Sequence, residues 1–394
     1  PCLFCEGRLS QGGIGGWNLT EYNFMVLSTS PEASSDHEQE IFTLAVDGMG
    51  GDGGPEMVIA GLQIAADRHP GIKILLLGDS ARLGEILPRY PKAASICTVR
   101  HTQAAVPMDM KPTAALRLRD SSMRVAMEVV SRKEAQGVVS AGNSGAMLAL
   151  AKVIVRTMPG ISRPAMAAIS PTRKGDVVML DLGANVTCDW RNLVEFAVMG
   201  EAFAKSVLGL PAPTIGLLNV GAEELKGDEK LRHAADVLRD SPLASQFHGF
   251  IEGDDITAGT TDVVVTDGFT GNVALKTGEG VLRMASSLFR QVFQSSFAGR
   301  VAYLLVRPAL HRMREWLDPR RYNGAVFVGL NGVVVKSHGG TDAVGFAAAV
   351  DVAVDMVRHG FNDSMKSRLS RMESLTVRRT DANASVETEV VTAL

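Results

Sequence analysis

Short runs of Val, Ile and Leu recur along the chain, and a polar turn rich in Gly, Asn and Asp follows most of them. The runs are Phe42-Thr-Leu-Ala-Val46, Ile72-Lys-Ile-Leu-Leu-Leu77, Gly137-Val-Val139, Val177-Val-Met-Leu-Asp-Leu182, Thr214-Ile-Gly-Leu-Leu-Asn219, Asp262-Val-Val-Val265, Ala325-Val-Phe-Val328 and Gly332-Val-Val-Val-Lys336. Between them the apolar positions take a helical period, over 55–68, over 112–134 as one long helix or two, over 190–208 and over 342–358. Runs that are apolar throughout predict strands buried on both faces, and their alternation with helices predicts an α/β fold with a mostly parallel sheet. In such a sheet ligands bind beyond the carboxyl ends of the strands, so chemistry belongs in the turns that follow them.

The two ends of the chain break the pattern. Residues 1–40 carry no apolar period and read as a disordered leader or a mis-set start, with Met25 a candidate initiator. Residues 41–360 are expected to form the folded domain, and 361–394 a polar C-terminal tail that begins as a frayed helix. A net charge of −3 gives no support to nucleic-acid binding. Four cysteines, at 2, 5, 97 and 188, fit a reducing cytoplasm. The pair Cys2 and Cys5 lacks a second pair to complete a zinc site, so no metal is expected. No apolar run is long enough to span a bilayer.

Six turns share a composition: 47–54, 140–145, 181–185, 219–228, 267–272 and 338–342. Glycine lets the backbone approach a ligand, and N–H groups at a helix start favour an anion. The same residues also serve as ordinary turn formers and caps. No turn has the spacing of a nucleotide-triphosphate loop. The turn after the first strand is too dense in glycine to read as a clean dinucleotide fingerprint, and a dinucleotide site stays open as an alternative. No nucleophile elbow or metalloprotease helix motif is present. Lys226 lies in a turn and not on a helix face, which suits a point charge for a phosphate oxygen. Asn272 is a neutral donor of the kind that stabilises an oxyanion. Pairing of Lys226 with Glu223 or Asp228, and capping by Asn272, are the plain alternatives.

Taken together, Met49-Gly-Gly-Asp52, Ser140-Ala-Gly-Asn-Ser-Gly-Ala146, Arg163-Pro164, Leu180-Asp-Leu-Gly-Ala-Asn185, Leu218-Asn-Val-Gly221, Lys226-Gly227 and Val265-Thr-Asp-Gly-Phe-Thr-Gly-Asn-Val273 resemble the PlsX family of bacterial phosphate acyltransferases. The likeness spans roughly 42–360 in order and spacing. It departs from the family pattern at Gly48, usually Ala, and at Ala222, often Thr. The resemblance implies a three-layer α/β/α fold like that of isocitrate dehydrogenase, a homodimer and no cofactor. It implies transfer of a long-chain fatty acyl group from acyl carrier protein (acyl-ACP) to inorganic phosphate, giving acyl phosphate for phospholipid synthesis. Carried over by motif, Lys226 would orient phosphate and Asn272 would stabilise the thioester transition state. Asp47, Gly50, Gly51, Asp52, Asn143, Ser144, Asn185, Asn219, Asp267, Thr270 and His338 would bind phosphate or substrate.

Residues 286–323 form a basic, apolar insert. Val301, Leu304, Leu305 and Leu310 recur near helical period, among Arg300, Arg307, Arg312, Arg314, Arg320 and Arg321, and Pro308 is expected to kink or split the helix. This predicts a protruding amphipathic helical hairpin that lies on a membrane surface or meets an acidic partner. A dimer-interface helix pair is the plain alternative. The resemblance favours the inner face of the cell membrane, with a downstream glycerol-3-phosphate acyltransferase as a further partner. Rival readings are a short-chain acyl-CoA:phosphate transferase, an inactive membrane scaffold and an NAD-dependent dehydrogenase.

Overall fold

A computed structural model describes residues 42–316 and 318–371, those at 311–316 by backbone only. The first half contains β1 (Thr43–Asp47), α1 (Gly54–Arg68), β2 (Lys73–Gly78), α2 (Ser80–Ile86), α3 (Pro91–Ile96), β3 (Cys97–His101), α4 (Pro112–Ala115), α5 (Ser122–Ser131), β4 (Gly137–Ser140) and α6 (Ser144–Ile154). Next come β5 (Ala165–Thr172), β6 (Gly175–Leu180), α7 (Trp190–Val207), β7 (Ile215–Leu218), α8 (Glu229–Arg239), β8 (Phe247–Ile251), α9 (Gly253–Ala258) and β9 (Val263–Val265). The chain continues through α10 (Gly268–Gln294), α11 (Phe297–Trp316), β10 (Ala325–Val328), β11 (Val333–Lys336) and α12 (Ala343–Arg358).

The strands form one sheet in the order β3-β2-β1-β4-β11-β10-β5-β6-β9-β7-β8. β3 to β11 run parallel, and so do β6 to β8. Three antiparallel steps, β11–β10, β10–β5 and β5–β6, join these runs. An odd number of reversals leaves the two runs pointing in opposite senses.

The strands are buried on both faces, as their unbroken apolar runs require. Leu44 and Val46 pack into the cluster that holds Leu62 of α1, Phe203 of α7 and Phe346 of α12. Ala45, between them, packs into the cluster of Met123 of α5 and Leu150 of α6. Side chains thus alternate between two helical layers, and the α/β/α expectation holds.

Several elements differ from the sequence pattern. β3 and β8 close the two edges of the sheet, where one strand face meets solvent, so neither is a continuous apolar run. β5 is Ala-rich with Pro171 near its end, and it carries no Val/Leu signature. The 112–134 segment takes one of its two expected forms, two helices, and Ser121 caps the second by accepting from Arg124 N at 3.3 Å. α10 begins at Gly268, in the turn after β9, and continues into the insert as far as Gln294, and α11 runs through Pro308 without splitting. Ser295 and Ser296 join α10 to α11, with the Phe293 and Tyr303 rings 5.7 Å apart.

Past 360, where a frayed helix and then a polar tail were expected, the helix joins the core. Residues 361–371 are helical, and Phe361, Met365 and Leu369 enter the main core. Their four-residue spacing makes one apolar stripe in an otherwise polar segment. Arg368 from this stretch pairs with Glu201 of α7, which is almost fully buried and also meets Lys205 at 2.7 Å. The expected leader at 1–40 and the rest of the tail lie outside the described residues. Among the described residues no helix is long and apolar enough to cross a membrane.

Candidate active site

Leu180, Val265 and Leu217 share one register line at the carboxyl ends of β6, β9 and β7. The turns beyond these three neighbouring strands form the first group of site residues. Asp181 anchors it. This fully buried carboxylate accepts through Oδ1 from the N–H groups of Met166, Gly183 and Ala184 at 2.9, 3.2 and 3.0 Å. Its Oδ2 accepts from Asn185 N and Nδ2 at 2.6 and 2.9 Å. Five donors on one carboxylate fix the 181–185 turn. Asn185 spends its amide on Asp181 and on Pro164 O, at 2.8 Å, so it secures the turn to Arg163-Pro164.

The turn after β9 locks into this one. Gly268 N donates to Asn185 O at 2.8 Å, and a Cβ on Gly271 would fall 2.0 Å from Asp181 O. Only glycine permits that approach. Asp267 then caps α10 by accepting from Thr270 N at 2.8 Å. Asn272, exposed at the first turn of α10, donates from Nδ2 to Leu182 O at 3.0 Å and keeps its second N–H. Gly183, at φ +130, leaves room for that amide, since a Cβ there would lie 3.2 Å from Nδ2.

The turn after β7 brings Lys226. Asn219 Nδ2 donates to Lys226 O at 3.1 Å and Asn219 Oδ1 accepts from Val220 N at 2.8 Å, closing the loop. The Lys226 side chain is exposed, and among the described residues its ammonium has no ion-pair partner. The expected alternatives Glu223 and Asp228 do not hold it. Asp228 instead caps α8 and faces Lys230, whose Nζ lies 3.4 Å from Asp228 and 3.5 Å from Asp267. Burial works against the Lys230 ammonium, but the two carboxylates outweigh it and raise its pKa. Cys188 sits beside this group with its thiol pushed up to about 11 by burial and by Asp181 and Asp267. It stays protonated at neutral pH and is no nucleophile.

A second group gathers at the carboxyl ends of β1, β4 and β11. Asp47 is 2% exposed and accepts from Ser122 Oγ at 2.6 Å, Ser140 Oγ at 2.7 Å and Met49 N at 3.2 Å. Burial pushes its carboxyl up despite these bonds. Lys336, 7% exposed, donates to Ala141 O at 3.3 Å and to Ser337 O. Burial pushes its ammonium down to about 8, against the pull of Asp47 and Asp52. Asp52 N donates to Gly339 O at 2.9 Å, and a Cβ on Gly50 would lie 2.7 Å from Gly142 N, so the three turns interlock. Gly51 completes the first turn at φ +88. Asn143 caps α6, accepting from Ala146 N at 2.9 Å and donating to Met108 O and Met110 O at 2.7 and 3.0 Å. Ser144 and His338 are exposed at the edge of the group.

The expected site residues therefore fall into two sets. Asn185, Asn219, Lys226, Asp267, Thr270 and Asn272 stand together, and so do Asp47, Gly50, Gly51, Asp52, Asn143, Ser144 and His338. Among the described residues no hydrogen bond or ion pair joins the sets. Asp181, Lys230, Ser122 and Lys336 escaped the sequence reading. Asp181, inside the apolar run 177–182, and Lys336, at the end of β11, were detectable as single charges in otherwise apolar runs, since unpaired charges are rarely buried. Among the described residues no cluster of His, Cys, Asp and Glu could hold a metal.

Residues 42–364 match a family described as fatty acid synthesis protein. A phosphate acyltransferase from Gluconacetobacter diazotrophicus is 74% identical over 361 residues, covering 92% of this chain and 96% of the relative. Another from Gluconobacter oxydans is 69% identical, covering 84% and 90%. The chain belongs to the phosphate acyltransferase (PlsX) family. It is an acyltransferase. A phosphotransacetylase from Streptococcus pyogenes shares the fold at a TM-score of 0.57 and 17% identity, covering 80% of this chain and 94% of its own. A branched-chain phosphotransacylase from Enterococcus faecalis does so at 0.51 and 13% identity, covering 81% and 99%. Membership of the family bears out the resemblance read from the turns.

Proposed function

We propose that this acyltransferase moves a long-chain fatty acyl group from acyl carrier protein to inorganic phosphate, releasing acyl phosphate for phosphatidic acid synthesis. The supporting observation is the Lys226 ammonium, without an ion-pair partner among the described residues, held at adjoining strand ends with an Asn272 amide that spends one N–H on Leu182 O. Lys226 binds and orients phosphate. A phosphate oxygen attacks the thioester carbonyl carbon, and its lone pair becomes the new O–C bond. Asn272 donates to the oxyanion that forms. The C–S bond then breaks, its electron pair leaves with sulfur, and the thiolate takes a proton from solvent. Phosphate is already a nucleophile, so the protein supplies position and charge and no covalent intermediate. Of the second set, Asp47 and Gly50 hold turns together, at strand ends that point the opposite way from those bearing Lys226 and Asn272.

We further read the enzyme as a homodimer on the inner membrane face, handing acyl phosphate to a glycerol-3-phosphate acyltransferase. Exposed Val301, Leu304, Leu305 and Arg307 of α11 support that reading. Arg312 and Arg314, expected in the same surface, have side chains outside the described ones. The test is acyl-phosphate formation from palmitoyl-ACP and phosphate, with palmitoyl-CoA and acetyl-CoA in parallel. Turnover on acetyl-CoA alone would replace this reading with a short-chain transferase. Lys226→Ala is expected to lower kcat/KM by about 100-fold or more with an unchanged circular dichroism spectrum. Near-wild-type turnover would remove Lys226 from its role.

A further inference from the structure

Five large apolar side chains crowd the three turns that carry Lys226 and Asn272. Leu225, directly before Lys226, is 86% exposed, and Val220, directly after Asn219, is 79% exposed. Val186 follows Asn185 in the turn after β6 and is 65% exposed. Phe269 and Val273, 64% and 49% exposed, stand four residues apart on α10 and so share one face, with Asn272 beside them. Single exposed apolar residues are ordinary on a protein surface. Here they come from three turns that β6, β9 and β7 set side by side, around the two polar groups that do the chemistry. An apolar surface with a few convergent polar groups is how a site holds a mostly apolar ligand.

We propose that Val186, Val220, Leu225, Phe269 and Val273 seat the apolar chain of the acyl donor and so set the chain-length preference of the enzyme. The proposal rests on the acyl-transfer reading above and names what that reading leaves open. Phosphate binds the ammonium, the thioester carbonyl meets the Asn272 amide, and the hydrocarbon covers Phe269 and Val273 on one side and Leu225 and Val220 on the other. The surface leaves water only when a chain long enough to cover it is bound, so long chains gain more than short ones. This seat lies at the reacting carbonyl, apart from the distal helix α11.

The experiment compares C16 and C4 acyl thioesters on the wild type, Phe269→Ala, Leu225→Ala, the double variant Phe269→Ala/Val273→Ala and the conservative Phe269→Leu. The readouts are kcat/KM with phosphate and equilibrium binding of the matching C16 and C4 alkyl thioethers, which cannot react. We expect the C16-to-C4 ratio to fall about tenfold in the single Ala variants, further in the double variant, and to recover in Phe269→Leu. An unchanged ratio in both readouts overturns the proposal. So does a shift in oligomeric state with the ratio intact, which would make the patch a contact between copies. If the wild type transfers nothing to phosphate yet binds the C16 thioether preferentially, and the Ala variants lose that preference, the seat stands and the transfer reading falls.

Discussion

Asp181 shows how one fully buried carboxylate can fix the turns around it. Replacing it with Ala would take the acceptor from the N–H groups of Met166, Gly183, Ala184 and Asn185, of which Asn185 is buried and the others are partly open to water, and a buried orphan costs about 1–3 kcal/mol. We expect Asp181→Ala to lose about 3–5 kcal/mol in urea unfolding, well above the median for a point change. A loss under 1 kcal/mol would mean that the turn holds itself. Lys336 gives a prediction with a sign. Its folded pKa, about 8, lies below the ordinary 10.5, so between those values the unfolded chain binds more protons than the folded one. This group's contribution to stability therefore rises with pH across that window. Set against Lys336→Met, the wild type should gain about 1–3 kcal/mol from pH 7 to pH 10. A flat difference would place the ammonium in contact with water. Neither residue stood out among the turns, because composition marks where a turn is and not which of its polar atoms face inward. Asn185 was expected to bind phosphate or substrate, yet its amide donates to Asp181 and Pro164.

At the scale of elements, the interior strands other than the Ala-rich β5 were legible, because burial on both sides writes an unbroken apolar run. Edge strands β3 and β8 were not, since a half-solvated strand mixes Thr, Arg, His and Gly with its apolar residues. The core role of 361–371, expected only as a frayed helix, was missed for a related reason. Three apolar residues at four-residue spacing are a faint signal in a polar segment, and only the neighbouring α7 gives them something to cover. α11 carries the element-scale prediction. Its exposed Leu304 should insert into lipid if this helix meets a membrane. Leu304→Glu is expected to cut binding to anionic vesicles by about tenfold or more in a sedimentation assay, with palmitoyl-ACP turnover in solution retained. Undiminished sedimentation would assign the apolar face of α11 to another partner.

For the whole molecule, motif order was enough to identify the family, but the opposed senses of the two parallel runs could not be read from it. That arrangement depends on β10 and β5, each joined by a short turn to one neighbour, β11 or β6, and paired with each other across a long stretch of chain. The same wiring governs how the protein is made. Gly137 of β4 pairs with Leu44 on one side and with Val333 on the other. The first partner has already left the ribosome when β4 emerges, whereas the second follows about 200 residues later. At synthesis rates of about 5–20 residues per second, β4 waits about 10–40 s with an open, Val-rich edge. A nascent chain in that interval is a half-built sheet with its stickiest border outward, and its yield in a cell is set as much by what shields that border as by the stability of the finished fold.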